Sequence, residues 1–218
     1  MKQKNLTIKE TFALAIQNHQ KNNLKVAENL YKEILKINPN HASAHNNLGI
    51  VFKALEEHQK AKSCFQKAIE INPNYVNAHY NLGNTLKELG EHKKAISCYE
   101  KAIQIQPNYA EAHNNLGVAL NELGEHQKAI DCYEKAIKIN PNYANVYYNF
   151  GNVLQESGEL QKAKSCYEKL LNLDPANKKG CLNYGNLLLK ITQYNKGLAY
   201  IRKGDGVIRF TQKDVKII

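Results

Sequence analysis

Apolar positions along this chain fall into two helical patterns that alternate. Over 110–143 the sequence reads AEAHNNLGVALNELGEHQKAIDCYEKAIKINPNY. Leu116, Gly117, Leu120 and Leu123 share one side of a helix that turns ~100° per residue. Gly124 comes next, where a left-handed residue ends a helix at little steric cost. A second pattern runs through Ala129, Tyr133, Ala136 and Ile137, with Glu134, Lys135 and Lys138 on the opposite side. Pro141 prevents that helix from continuing, and Asn142 is placed to cap the next one. The predicted unit is a helix–turn–helix.

The unit repeats. Pro39, Pro73, Pro107, Pro141 and Pro175 are the five prolines, each 34 residues after the last. Cys64, Cys98, Cys132 and Cys166 keep the same step, as do Ala27, Ala61, Ala95, Ala129 and Ala163. The aromatics Tyr31, Phe65, Tyr99, Tyr133 and Tyr167 follow it too. At the turn, Gly90 and Gly158 repeat the role of Gly124; Asn22 substitutes for it, and Glu56 is the exception. One helix pair cannot bury its apolar face alone, so stacked neighbours must supply the core. Small residues at 117 and 129 allow the two helices to approach, and the aromatic at 133 fills the space left.

The 34-residue period, the Leu-Gly pair, the two alanines, the aromatic and the terminal proline resemble the tetratricopeptide repeat. The resemblance covers 8–177 as units 8–41, 42–75, 76–109, 110–143 and 144–177. A degenerate sixth unit, 178–205, keeps Tyr184, Gly185 and Leu188 but has Gly197 in place of the alanine and reads as a cap. Residues 1–7 are expected to form an N-terminal tail, and 206–218, rich in β-branched residues, a tail with a possible short hairpin. The fold class implied is an all-α, right-handed superhelical solenoid.

The stretch HNNLG, at His45 to Gly49 and again at His113 to Gly117, raises the functional question. Its middle asparagine recurs as Asn47, Asn81, Asn115, Asn149 and Asn183. On a helical projection Asn115 points nearly opposite Leu116, Gly117 and Leu120, as do residues 111, 114 and 118, so the seam of its own unit does not require it. The family resemblance implies that this surface lines the inner groove. An asparagine amide carries both donor and acceptor, and one such residue per packed helix, ~8–10 Å apart, would meet about every third residue of an extended peptide. The arrangement resembles the groove of the O-linked N-acetylglucosamine transferase repeat domain. Asn84, Asn152 and Asn186 lie one turn further on and point the same way. Tyr80 and Tyr148 alternate with Asn46 and Asn114 beside the ladder. The ladder starts at the second repeat, because Ala13 holds the position in the first. Clamping of a C-terminal carboxylate needs lysines and arginines on these helices, and Lys179 stands isolated.

Composition narrows the rest. The net charge of +10 raises nucleic acid, but Lys60, Lys67, Lys93, Lys94, Lys101, Lys128, Lys135, Lys162 and Lys169 concentrate on second helices and turns, several beside Glu100, Glu134 or Glu168. That pattern reads as a solvated outer face and makes nucleic acid an unlikely partner. Five cysteines fit a reducing compartment, and the four in register are too far apart for disulfides, whereas Cys181 is expected to be more exposed. His45, His79 and His113, and likewise His58, His92 and His126, read as packing and turn residues and not as a zinc site. No apolar run reaches the length of a signal-peptide core or a membrane span, which predicts a cytoplasmic location.

The expected function is a non-catalytic scaffold that holds an extended protein or peptide segment through the asparagine ladder, with no cofactor and no metal. The alternatives are a recruiting arm for a fused or partner enzyme such as a glycosyltransferase, and RNA binding through the basic residues. The oligomeric state is left open.

Overall fold

The computed structural model describes residues 6–204, 208–210 and 215–217. The chain divides into two compact units, Met1–Ala112 and His113–Ile218. The first holds α1 (Ile8–Gln20), α2 (Leu24–Ile37), α3 (Ala42–Ala54), α4 (His58–Ile71), α5 (Val76–Glu88), α6 (His92–Ile105) and the start of α7 (Ala110–Glu122). Here α1 packs on α2, α3 on α4 and α5 on α6; α2 meets α3, α4 meets α5, and α3 lies beside α5. The second unit continues with α8 (His126–Ile139), α9 (Ala144–Glu156), α10 (Leu160–Leu173), α11 (Lys178–Lys190) and α12 (Tyr194–Lys203). There α9 pairs with α10 and α11 with α12, while α8 meets α9, α10 meets α11, and α9 lies beside α11.

The described part of the C-terminal tail forms two strands, β1 (Ile208–Phe210) and β2 (Val215–Ile217), paired antiparallel with Arg209 opposite Lys216. β1 runs beside α12. Residues 1–5 of the expected N-terminal tail, and 205–207, 211–214 and 218 of the C-terminal one, lie outside the described residues.

Four helix pairs close around an aromatic ring seated on a glycine, and in the first pair Ala15 holds the glycine's position. A Cβ added to Gly49 or Gly83 would lie 2.6 Å from a ring carbon of Phe65 or Tyr99. At Gly117 and Gly151 the distance to Tyr133 and Tyr167 would be 2.7 Å. At these four positions the glycine is therefore a packing requirement, because a Cβ would displace the ring as it is seated there. In the last pair Ile201 replaces the ring, and the backbones close further: a Cβ on Gly197 would lie 2.9 Å from the Gly185 carbonyl oxygen. The missing alanine of this repeat thus follows from its missing aromatic. Leu123, grouped by its spacing with Leu116 and Leu120, lies beyond the end of α7 and is 38% exposed.

The turn inside each pair has one conformation whatever residue occupies it. Asn22, Glu56, Gly90, Gly124, Gly158 and Thr192 all have positive φ, between 60° and 80°. The next residue but none then bonds back: the N–H of Glu57, Glu91, Glu125, Glu159 and Gln193 donates to the carbonyl five residues earlier. Glu56 and Thr192 adopt the left-handed geometry despite carrying a Cβ, which costs about 1 kcal/mol each.

The turn between pairs differs from expectation. Asn142 does not cap α9; the N-cap is Tyr143, which makes no side-chain cap bond. The asparagine before the proline acts instead: Asn140 Oδ1 accepts the Asn142 N–H at 3.1 Å, as Asn38 and Asn72 do for Asn40 and Asn74. An Asx turn around the proline leads into the helix. His45 and His79 pin the same turn, with Nε2 2.9 Å from the carbonyls of Pro39 and Pro73. Tyr147, at the same repeat position, donates its hydroxyl to the Pro141 carbonyl at 2.9 Å.

Candidate functional site: the asparagine face of the first helices

The recurring asparagines sit half-buried on α3, α5, α7, α9 and α11. In the first unit Asn46 is 3% exposed and works as a bridge. Its Nδ2 donates to Asn47 Oδ1, and its Oδ1 accepts from Asn81 Nδ2, both at 3.1 Å. Asn47 Nδ2 lies 3.4 Å from the Tyr31 hydroxyl. The Tyr99 hydroxyl donates to Asn84 Oδ1 at 2.8 Å. Tyr80 is half-buried, its ring 4.9 Å from that of Tyr109 and 6.1 Å from that of Tyr99.

The second unit repeats the bridge. Asn114 is 4% exposed, donates to Asn115 Oδ1 at 2.9 Å and accepts from Asn149 Nδ2 at 2.9 Å. On α11, Asn183 Nδ2 donates to Asn152 Oδ1 at 2.8 Å and lies 3.4 Å from the Tyr148 hydroxyl. Asn152 Oδ1 also accepts the Tyr167 hydroxyl at 2.7 Å. Asn186 makes no hydrogen bond among the described residues, and Ile201 stands where its tyrosine partner would be.

Two sequence expectations change. Asn46 and Asn114, expected as groove neighbours beside the ladder, are buried links between successive repeats. The ladder asparagines, which the seam of their own unit does not need, spend their Nδ2 on the preceding repeat: Asn81 on Asn46, Asn149 on Asn114 and Asn183 on Asn152. The signal lay in pairs 35 residues apart, one repeat plus one, which a projection of a single unit does not reveal. The bonds also leave specific atoms unspent. Among the described residues, the Oδ1 atoms of Asn81, Asn149 and Asn183 and the Nδ2 of Asn152 have no partner, and none of the four is shut away from solvent.

The electrostatic environment reinforces this division. Burial pushes the Tyr167 hydroxyl far above its ordinary range, so it stays a donor. Burial also pushes the thiols of Cys64 and Cys98 up to about 11 and that of Cys166 up to about 12, which removes their nucleophilic thiolates. Cys181, expected to be more exposed, is 2% exposed, and its thiol is raised for the same reason. One lysine in each of α4, α6, α8 and α10 pairs with the glutamate that precedes its helix. Lys94–Glu91, Lys128–Glu125 and Lys162–Glu159 are each 2.5 Å apart, and Lys60 pairs with Glu57. Lys62 adds a bond to Glu91 at 2.7 Å. These pairs set glutamates beside part of the positive charge on the second helices.

A concavity of about 340 Å³ opens in the second unit between α10, α11 and α12. Its charged groups are already engaged: Tyr184 donates to Glu168 at 2.5 Å, Lys196 lies 3.7 Å from Glu168, and Lys203 sits 4.9 Å over the Tyr200 ring. Among the described residues no group of three His, Cys, Asp or Glu side chains is placed to hold a metal, and no helix is long and apolar enough to cross a membrane.

The model of the tetratricopeptide repeat family matches residues 42–108, 74–142 and 108–176, well over half of the chain. The chain belongs to the tetratricopeptide repeat family. Its solved structural neighbours include MamA, 27% identical, with 74% of this chain and 94% of that chain covered at a TM-score of 0.69. PilF of Pseudomonas aeruginosa is 22% identical, with 88% of each chain covered at a TM-score of 0.80. YrrB, described as a tetratricopeptide repeat protein with an unusual peptide-binding site, is 22% identical, with 80% of this chain and 90% of that chain covered at a TM-score of 0.65. Comparison with curated proteins finds no match. The fold is that of a protein–protein interaction scaffold, and the family match brings no catalytic family with it.

Proposed function

We propose that this protein is a non-catalytic interaction module that holds an extended segment of a partner protein along the first-helix asparagines. The supporting observation is the set of amide atoms left over once the array's own hydrogen bonds are made. The carbonyl oxygens of Asn81, Asn149 and Asn183 and the amide nitrogen of Asn152 lie on half-buried side chains, held in place by the bonds they do make. Amides immobilised in this way lose little entropy when a partner pairs with them. They can pair with the N–H and C=O groups of a peptide main chain, and the half-buried rings of Tyr80 and Tyr148 add apolar area. Asn47 lies on α3, Asn115 on α7 and Asn186 on α11, first helices of their pairs. The neighbour whose description includes a peptide-binding site is consistent with this use of the fold.

The experiment is selection of a phage-displayed library of random 12-mer peptides on the immobilised chain. The expected result is enrichment of peptides that compete with one another and bind nearly as well at high salt as at low salt. Failure to enrich any peptide contradicts the reading. Peptides that are only lysine-seeking, polyanionic and released by salt contradict it too, and favour the basic outer face.

A further inference from the structure

We infer that this protein associates with a second copy of itself through the end face of its first helix pair, α1 and α2. The inference does not depend on the peptide-holding reading.

Later first helices pack on the second helix of the pair before them: α3 on α2, α5 on α4, α9 on α8 and α11 on α10. At the position before the seam glycine, Leu48, Leu82, Phe150 and Tyr184 are accordingly at most 9% exposed. Leu14 holds that position on α1, where no pair precedes among the described residues, and is 36% exposed. The second helix turns the same way. Val26, Leu30, Glu33 and Ile37 follow at i, i+4, i+7 and i+11, a single stripe of α2. One repeat later Lys60 and Cys64 hold the positions of Val26 and Leu30, and they lie close enough to α2 to feel the charges of Glu28 and Lys32. The stripe therefore faces where a preceding pair would stand, as Leu14 does.

A repeat at the end of an array ordinarily turns a polar face outward. This one does the opposite. Val26 replaces the lysine found at 60, 94, 128 and 162, and Asn23 replaces the glutamate that each of those lysines pairs with. Leu30 replaces a cysteine. Val26 and Ile37 are exposed, and Leu30 is half-buried. Among the described residues six large apolar side chains are exposed, and Leu6, Leu14, Val26 and Ile37 are four of them. Apolar side chains gathered on one free face mark an interaction surface.

Several observations select a second copy as the occupant. Residues 1–5, MKQKN, bring too little apolar area to cover the face. A further repeat of the same kind is disfavoured, because the ladder position, from which Asn81 and Asn149 reach back to the pair before, is Ala13 here. Exposed Glu33 and Lys36 border the stripe and make no ion pair among the described residues. The patch thus carries both signs of charge beside its apolar residues and complements itself across a two-fold axis. The last pair offers no equivalent free end, since β1 lies beside α12. Association through one end alone closes at two chains.

The test is sedimentation equilibrium of the full chain from about 1 to about 100 µM. The expected mass at the upper end is twice the 24.7 kDa of one chain. Val26→Lys/Ile37→Lys is expected to keep its helical circular dichroism and to raise the dissociation constant by about tenfold or more. Leu123→Lys, at an exposed leucine of the second unit, also adds charge and is expected to associate as wild type. A second readout needs no variant: amide hydrogen exchange of the wild type should slow over α1 and α2 as concentration rises and stay unchanged over α11 and α12. A wild type that stays monomeric overturns the inference, as does a mass that climbs past two chains. Association that survives Val26→Lys/Ile37→Lys, association lost equally in Leu123→Lys, or protection confined to α11 and α12 puts the contact elsewhere and overturns it too.

Discussion

The helix pairs that carry Tyr133 and Tyr167 share one scaffold but differ at a single hydroxyl. Both rings are buried and lie on a glycine at the same virtual distance, 2.7 Å. Tyr167 donates to Asn152, which in turn accepts from Asn183 on the next repeat. Tyr133 faces Val118 at the equivalent register and makes no hydrogen bond among the described residues. The ring is therefore what builds the array. The hydroxyl is an optional second use of the ring, and it determines whether an asparagine on the first helix is oriented or left to itself. Tyr99 with Asn84 shows the oriented form again in the first unit, whereas Phe65 with Ile50 has neither hydroxyl nor amide.

The largest expected effect tests the shared part. Tyr133→Ala and Tyr167→Ala should each cost about 3–5 kcal/mol in denaturant unfolding, because both empty a buried ring site, with Tyr167→Ala the larger by about the 1 kcal/mol of its hydroxyl bond. A difference well beyond that would break the claim that the scaffold is common. Gly151→Ala comes next, at about 1–3 kcal/mol, since its Cβ would strike the Tyr167 ring. The distinguishing pair is smaller. Tyr167→Phe should cost about 1 kcal/mol through the lost bond to Asn152, and Tyr133→Phe should be close to neutral. Equal costs would show that the hydroxyls do not differ. The smallest effect lies at the turn, where these two pairs have Gly124 and Gly158 but α3 and α4 are joined through Glu56 at φ 61°. Glu56→Gly should raise stability, by at most about 1 kcal/mol.

The 34-residue period, the Leu-Gly seam and the breaking proline made the helix pairs legible in the sequence, since each is a local rule applied repeatedly. The asparagine face was legible only in part. Helical projection placed Asn115 away from Leu116 and Leu120, but it considers one helix at a time. It could not show that Asn81 reaches Asn46, or that Asn183 reaches Asn152, because those contacts depend on how neighbouring repeats stack. Asn142 was misread for a related reason. Capping propensity favoured it, but the Asx turn around Pro141 placed Asn140 in the hydrogen-bonding role. Glu56 and Thr192 carry no local signal for a left-handed turn; the packing of the flanking helices imposes it.

The central claim is that Asn81, Asn149, Asn152 and Asn183 pair inward with the array and outward with a partner's main chain. Its most direct test is side-chain amide NMR of the ¹⁵N-labelled chain titrated with a library-selected peptide. The account predicts that the Asn152 NH2 resonances shift with the bound fraction while those of the exposed Asn172 stay in place. Unchanged Asn152 resonances, with shifts confined to the side-chain amide of Asn172 at the α10–α12 cleft, would contradict it.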